Sequence, residues 1–86
     1  MKNSVLGPGV VVEAGAVVED SVLMEHVTVR AGACVRYSIL DANVTVCEKA
    51  TVGEAKDKTS EIAVVGADVV IPVGKAIPAG AMIADF

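Results

Sequence analysis

Residues 5–52 read VLGPGVVVEAGAVVEDSVLMEHVTVRAGACVRYSILDANVTVCEKATV, and an aliphatic side chain returns at nearly every sixth position. The aliphatic positions are Leu6, Val12, Val18, Leu23, Val29, Val35, Leu40, Val46 and Val52, and the pattern resumes at Val65, Ile71, Ile77 and Ile83. The first three sets of three are spaced 17 residues apart, which is two six-residue units and one five-residue unit. A fixed short period indicates a solenoid, and the six-residue period indicates a parallel β-helix.

Two further columns follow the same register. The position four residues after each aliphatic residue is predicted to face inward, as Val10, Val27 and Val44, as Ala16, Ala33 and Ala50, and as Val22 and Ile39. The position three residues after holds Gly9, Gly15, His26, Gly32, Asn43, Asp68, Gly74 and Gly80. These residue types tolerate positive φ best, as a corner between two short strands requires. The columns predict one all-β domain of about four coils over residues 1–86.

The register also predicts which outward side chains are neighbours. Glu13 is expected beside Arg30, and Glu19 beside Arg36, because each pair is 17 residues apart. Each exposed ion pair should contribute less than about 1 kcal/mol, so the pairs help to fix the register more than they add stability.

One segment breaks the period, and the two ends differ. Leu40 and Val65 are 25 residues apart, which leaves eight beyond one coil. We assign the surplus to a polar loop extruded near residues 53–61. A solenoid needs caps on its terminal coils. Met82, Ile83 and Phe86 are expected to fold over the last coil. Nothing before Leu6 resembles a cap, which favours a missing upstream domain.

Composition excludes several classes of function. The net charge of the 86 residues is −4, with 11 acidic against 7 basic side chains, so binding to a nucleic-acid backbone is not expected. No apolar run is long enough for a membrane span, and residues 1–10 lack the features of a secretory signal. A cytoplasmic protein without a membrane partner is predicted.

Few side chains are candidates for chemistry. His26 is the only histidine, so one chain cannot form a three-histidine metal site. We interpret it as a corner residue, with a general base as the alternative. Cys34 and Cys47 are expected to lie four residues apart along neighbouring strands, roughly 13 Å, beyond disulfide reach. Two free thiols fit a reducing compartment. No catalytic, cofactor-binding or metal-binding residue is assigned.

Four basic side chains are candidates for contact with an anionic effector such as a sugar phosphate: Arg30, Arg36, Lys49 and Lys75. Ordinary surface charge is the favoured alternative for all four, because such charges usually signify little. Lys75 stands four residues after Ile71, where a small inward residue is expected. Either the coil is locally distorted there or the long stem of Lys75 carries the ammonium group out to solvent, and we favour the long stem.

The stretch SVLGPGVVVEAGAVVEDSVLMEHVTVRAGACVRYSILDANVTV, followed by a polar loop and EIAVVGADVVIPVGKAIPAGAMI, resembles the carboxyl-terminal region of bacterial glucose-1-phosphate adenylyltransferase. The resemblance runs from Asn3 to Ile83. The segments VEDSVLM, RYSILD and AVVGADVVIP are more particular to this family than the repeat itself.

The resemblance implies a left-handed β-helix that joins subunits and takes part in allosteric regulation. The parent enzyme makes ADP-glucose and pyrophosphate from ATP and glucose 1-phosphate, for glycogen synthesis. Its catalytic motifs belong to an amino-terminal nucleotidyltransferase domain that is absent from residues 1–86. ATP and magnesium are expected in that domain and no cofactor here. The expected partners are that domain and further copies of the chain.

Three other hypotheses remain open. The first is a small hexapeptide acyltransferase that uses His26. The second is the β-helix of another sugar-nucleotide transferase, such as a mannose-1-phosphate guanylyltransferase. The third is a subunit-bridging protein without an enzyme partner. An eight-residue surplus is short for the loop that builds an acyl-CoA channel, which counts against the acyltransferase.

Overall fold

A computed structural model describes residues 3–54 and 61–84 of the chain, and this part is a parallel β-helix. Its thirteen strands are β1 Val5–Leu6, β2 Val11–Val12, β3 Val17–Glu19, β4 Val22–Leu23, β5 Thr28–Val29, β6 Cys34–Arg36, β7 Ser38–Leu40, β8 Thr45–Val46, β9 Thr51–Val52, β10 Ala63–Val65, β11 Val70–Ile71, β12 Ala76–Ile77 and β13 Met82–Ile83. Three strands make one coil, so the predicted four coils are confirmed, and β13 begins a fifth. Within the described ranges no helix is long and apolar enough to span a membrane.

The strands form three parallel sheets, one on each side of the coil. The first sheet has the order β1-β4-β7-β10-β13, the second β2-β5-β8-β11 and the third β3-β6-β9-β12. The 17-residue register holds in the first three coils, where Val18 pairs with Val35 and Leu23 with Leu40. Across the surplus segment Leu40 pairs with Val65, as the resumed repeat predicts. The left-handed sense of the coil stays a prediction from the family resemblance.

The core is a stack of small aliphatic side chains along the axis. Val29, Val35 and Leu40 are fully buried, and the Val27–Val44 and Ala33–Ala50 columns pack between them. In the first coil the equivalent Leu6, Val10, Val12 and Ala16 are only partly buried. Each inner coil is therefore covered by the coils above and below it, which is the source of stability in a solenoid.

The predicted corner column is confirmed. His26, Asn43 and Asp68 have φ of 59°, 62° and 63°, in the left-handed region. Lys49 shares this conformation at 61°, so a residue type that rarely adopts it occupies one corner. The corner therefore requires the left-handed backbone conformation even where its residue is of a type that rarely adopts it.

The five-residue unit corrects one prediction. Val22 and Ile39 were expected to face inward, but they lie on the outer face, and Ser21 and Ser38 occupy the inward positions at 2% and 1% exposure. Inward residues alternate along a strand, so the position two before Leu23 is inward, which is Ser21. In a six-residue unit, the fourth residue after an aliphatic residue is the inward one. In this five-residue unit the inward residue is the third, so a count of four from Val18 reaches Val22 instead of Ser21.

A ladder of serine side chains stabilises this tight corner. The Ser21 hydroxyl donates to the carbonyl of Glu19 at 2.7 Å and accepts the backbone N–H of Ser38 at 3.2 Å. The Ser38 hydroxyl repeats the first bond one coil later, to the carbonyl of Arg36 at 2.7 Å. Ser4 Oγ accepts the N–H of Ser21 at 3.2 Å. The hydroxyls thus satisfy backbone groups that a short corner would leave unpaired.

The surplus segment and the carboxyl-terminal end lie partly outside the described residues. Residues 55–60, the centre of the predicted loop, are outside them, and so is Phe86. Ile83 packs against the core, as a covering residue would. Met82 is 81% exposed, so the expectation that it folds over the last coil is wrong. Met82 lies opposite Val64 and points outward because strand alternation places it there.

Candidate functional site

The four basic candidates divide between two corners of the coil. Arg30, Lys49 and Lys75 lie on the corner between the second and third sheets, where they follow β5, β8 and β11. Arg36 ends β6, at the next corner. The structure therefore brings three of the four candidates to one edge and separates Arg36 from them.

Both arginines form the ion pairs that the register predicts. Arg30 Nη1 lies 3.1 Å from Glu13 Oε2, and Arg36 Nε lies 3.2 Å from Glu19 Oε1. Glu13 also accepts the N–H of Ala31 through Oε1 at 3.1 Å, so it links two coils twice. These pairs remain partly exposed, and each should contribute less than about 1 kcal/mol. An anion that binds either arginine would have to compete with its carboxylate partner.

Lys49 and Lys75 are exposed on the same edge. Lys49 occupies the left-handed corner above Gly32, where a Cβ added to Gly32 would lie 3.6 Å from Lys49 Cγ. Lys75 stands in the inward column with Ala50, yet it is exposed, so its long stem leaves the core as predicted. Two ammonium groups on adjacent coils of one edge form the best candidate for an anion contact.

His26 lies at the corner between the first and second sheets. Its imidazole packs over Gly9, and a Cβ added to Gly9 would lie 2.5 Å from His26 Nδ1. Its backbone N–H donates to the carbonyl of Pro8 at 3.0 Å. The side chain is exposed. These contacts fit the corner interpretation and leave the ring accessible to a molecule that binds at this edge.

Neither the two cysteines nor the potential metal-ligand side chains form a shared site among the described residues. Cys34 and Cys47 are free, which confirms the prediction that they do not pair. Cys34 lies opposite Thr51 on the outer face of the third sheet, in the predicted register. Within residues 3–54 and 61–84, no three His, Cys, Asp or Glu side chains are placed to hold a metal ion together.

The outer face of the first sheet carries a feature that the sequence reading missed. Its five strands present one aliphatic side chain each, and we call these the aliphatic face: Val5, Val22, Ile39, Val64 and Met82. Val5 is 64% exposed and Met82 81%. The missed signal was the alternation SVL and SIL, in which a small inward residue precedes an outward and then an inward aliphatic residue.

A groove opens at one end of the aliphatic face. It has a volume of about 210 Å³ and is lined by Val64, Gly66, Met82, Ile83 and Ala84. Its lining is apolar, so the groove suits a hydrocarbon side chain better than a charged ligand. It therefore belongs with the aliphatic face rather than with the basic edge.

A comparison with protein families identifies the family of the chain. A family model described as GlmU-like, C-terminal hexapeptide matches residues 1–73. The chain belongs to this family. Membership agrees with the coil geometry and establishes a hexapeptide-repeat domain of a transferase-related type, without specifying one reaction. Searches of curated proteins and of solved structures found no significant match.

Proposed function

We propose that this GlmU-like hexapeptide domain is the oligomerisation and regulatory domain of a glucose-1-phosphate adenylyltransferase, and that it is not catalytic by itself. The observation that carries the proposal is the aliphatic face, which spans all five strands of one sheet. The residues from Asn3 to Ile83 that resemble this enzyme support the specific assignment. Two of the four basic candidates are already held in ion pairs, as expected of a scaffold surface.

The scaffold would act by holding catalytic domains at fixed separations. Each coil is tied to the next by backbone hydrogen bonds on three sides, for example from Thr28 N–H to the carbonyl of Val44 at 2.9 Å. A body bonded in this way moves as a unit, so an effector at one edge can bias the domains that it joins. The Lys49–Lys75 edge is the proposed contact for an anionic effector. ATP and magnesium would act in the amino-terminal domain, in the cytoplasm.

The first test is the size and activity of the natural polypeptide. We expect immunoprecipitation and intact-mass spectrometry to find a protein several times larger than 8.7 kDa. We expect it to form ADP-glucose and pyrophosphate from ATP and glucose 1-phosphate, and the 86-residue chain to form neither. Activity only with GTP and mannose 1-phosphate would instead favour a guanylyltransferase. A large protein with no nucleotidyltransferase activity would contradict the proposal.

A hexapeptide acyltransferase is the second candidate, favoured by the exposed imidazole of His26 and by the family match. Histidine is the usual general base in such chemistry because its pKa falls near neutrality. Asn is the matched replacement, since Asn43 occupies the same corner position one coil later with φ of 62°. Acetyl-CoA turnover that is lost in His26→Asn would support this candidate. Turnover retained in that variant, or none in the wild type, would exclude it.

A further inference from the structure

We infer that the outer sides of β11 and β12 form an edge that is closed to further β-pairing, and that Pro72, Lys75 and Pro78 close it. We call this the terminal edge. Among the residues that the structure describes, β11 ends the second sheet and β12 ends the third, and no strand pairs with the far side of either. Such a strand presents its backbone groups to any other chain, so a protein needs a feature that prevents unwanted pairing there. The inference does not depend on the enzyme assignment.

The hydrogen bonds between coils of the second sheet follow a fixed pattern. The Thr45 N–H donates to the carbonyl of Val69 at 3.0 Å. The Cys47 N–H donates to the carbonyl of Ile71, also at 3.0 Å. Pro72 follows β11 as Cys47 follows β8, so it occupies the position of Cys47 one coil later. Because proline has no N–H, β11 lacks one of the two donors with which a strand of this sheet binds the next coil.

The third sheet ends in the same way. The Gly53 N–H donates to the carbonyl of Ile77 at 2.8 Å. Val52 pairs with Ile77, so Pro78 stands one coil after Gly53 and again removes the donor. The only other proline of the chain is Pro8, in the first coil. Proline within sheets is confined to places where no ladder bond is needed, such as the edge of a sheet.

Lys75 adds a charge to the terminal edge. It stands one coil after Ala50, in the inward column that also contains Ala33. Both alanines are fully buried, whereas Lys75 is exposed. A further coil would enclose the Lys75 ammonium group in a column otherwise made of methyl groups, which is strongly disfavoured. Inward-pointing charged residues are one of the features by which natural proteins protect a sheet edge.

The closure is confined to the two sheets that end in the fourth coil. In the first sheet the Gly66 N–H donates to the carbonyl of Ile83 at 2.6 Å, and β13 is paired with β10. The position one coil after Gly66 is Ala84, which has an N–H. Because a stacked coil forms bonds on all three sides, loss of donors on two sides is enough to prevent it. Copies of the chain should therefore not stack end to end into the open filament that a head-to-tail contact generates.

Sedimentation velocity tests the closure. Pro72→Ala, Lys75→Ala and Pro78→Ala are combined in one variant, which gains two donors and a small inward side chain. All three positions are exposed, so circular dichroism should show the same fold. We expect this variant to form head-to-tail oligomers at a concentration about tenfold below that of any self-association of the wild type.

The matched control combines Pro8→Ala with Lys49→Ala, which removes a proline and the same charge away from the terminal edge. It should sediment like the wild type. A triple variant that sediments like the wild type, or a control that associates as strongly as the triple variant, would overturn the inference.

Amide hydrogen exchange tests the same idea inside the coil. Cys47→Pro places a proline beneath an existing coil, and Cys47→Ala is its control. The Gly74 N–H donates to the carbonyl of Glu48 at 3.1 Å, so its exchange reports the contact between the third and fourth coils. We expect Gly74 to exchange about tenfold faster, or more, in Cys47→Pro than in Cys47→Ala. Equal protection in the two variants would show that a coil stacks on a proline at this position, and would overturn the inference.

Discussion

The serine ladder provides a quantitative test of how the tight corner is stabilised. Ser21 is 2% exposed, and its hydroxyl accepts the N–H of Ser38 at 3.2 Å while donating to the carbonyl of Glu19 at 2.7 Å. In Ser21→Ala the Ser38 N–H loses this partner inside the protein. The Glu19 carbonyl keeps the Tyr37 N–H at 2.9 Å. Ala63 occupies the same column, so Ala fits without leaving a void.

The expected cost follows from these contacts. An unsatisfied buried donor costs about 1–3 kcal/mol, and the lost second bond to the Glu19 carbonyl adds a fraction of that. We expect Ser21→Ala to lower the free energy of unfolding by about 2 kcal/mol. With a urea m-value of about 1 kcal/mol/M for a small domain, the midpoint should fall by about 2 M.

Urea unfolding followed by circular dichroism, at concentrations where the chain is monomeric, is the assay. Ser4→Ala is one control, because Ser4 is only half-buried and water can replace its hydroxyl, so its cost should be under about 1 kcal/mol. Thr45→Ala on an outer face should stay within about 0.5 kcal/mol of wild type. A change below about 0.5 kcal/mol in Ser21→Ala, or an equal one in Ser4→Ala, would refute the reasoning.

Three further outcomes are expected. Gly9→Ala should lower the free energy of unfolding by about 1 kcal/mol more than Gly32→Ala does, as measured by thermal unfolding. Both glycines have positive φ, but only the Cβ added at Gly9 would meet the His26 ring, at 2.5 Å. Equal losses of stability in the two variants would contradict this packing. In urea unfolding, the stability of His26→Asn should stay within about 0.5 kcal/mol of wild type, and His26→Val should be about 1–2 kcal/mol less stable, because valine disfavours the left-handed corner. If His26→Asn were the less stable variant, the corner role of His26 would be contradicted. Combined Lys49→Ala and Lys75→Ala should weaken the binding of a sugar phosphate to the 86-residue chain, which lacks the catalytic motifs, at least tenfold in calorimetry. An unchanged affinity would exclude this edge as the effector site.

The period of the aliphatic residues was enough to predict the coil. Because every third strand stacks on its predecessor, the 17-residue spacing alone predicts that Val18 pairs with Val35 and that Glu19 lies beside Arg36, as the structure shows. Corner residues followed from their tolerance of positive φ. The handedness could not follow, because a repeat period is the same for a coil of either hand.

The prediction failed where residue type and position disagree. Ser21 and Ser38 are polar and were not expected inside, while Val22 and Ile39 are aliphatic and were not expected outside. A serine can occupy the inward position because its hydroxyl finds a backbone carbonyl two residues earlier, at Glu19 for Ser21. A hydrophobic pattern does not predict local hydrogen bonds of this kind. Because Val22 and Ile39 were assigned to the core, the aliphatic face was not predicted either.

The neighbouring sheet shows why the aliphatic face calls for a functional explanation. At the equivalent outward positions of the second sheet, Thr28 and Thr45 occupy the middle coils, in the same parallel pairing as Val22 and Ile39 in the first. Folding therefore tolerates a polar β-branched residue at an outward position of the coil. The outward aliphatic residues of the first sheet are not required by the core, and exposing them disfavours a dispersed monomer. The contact with another surface that we propose for the first sheet would explain why all five positions of one face are aliphatic while the face beside it is mixed.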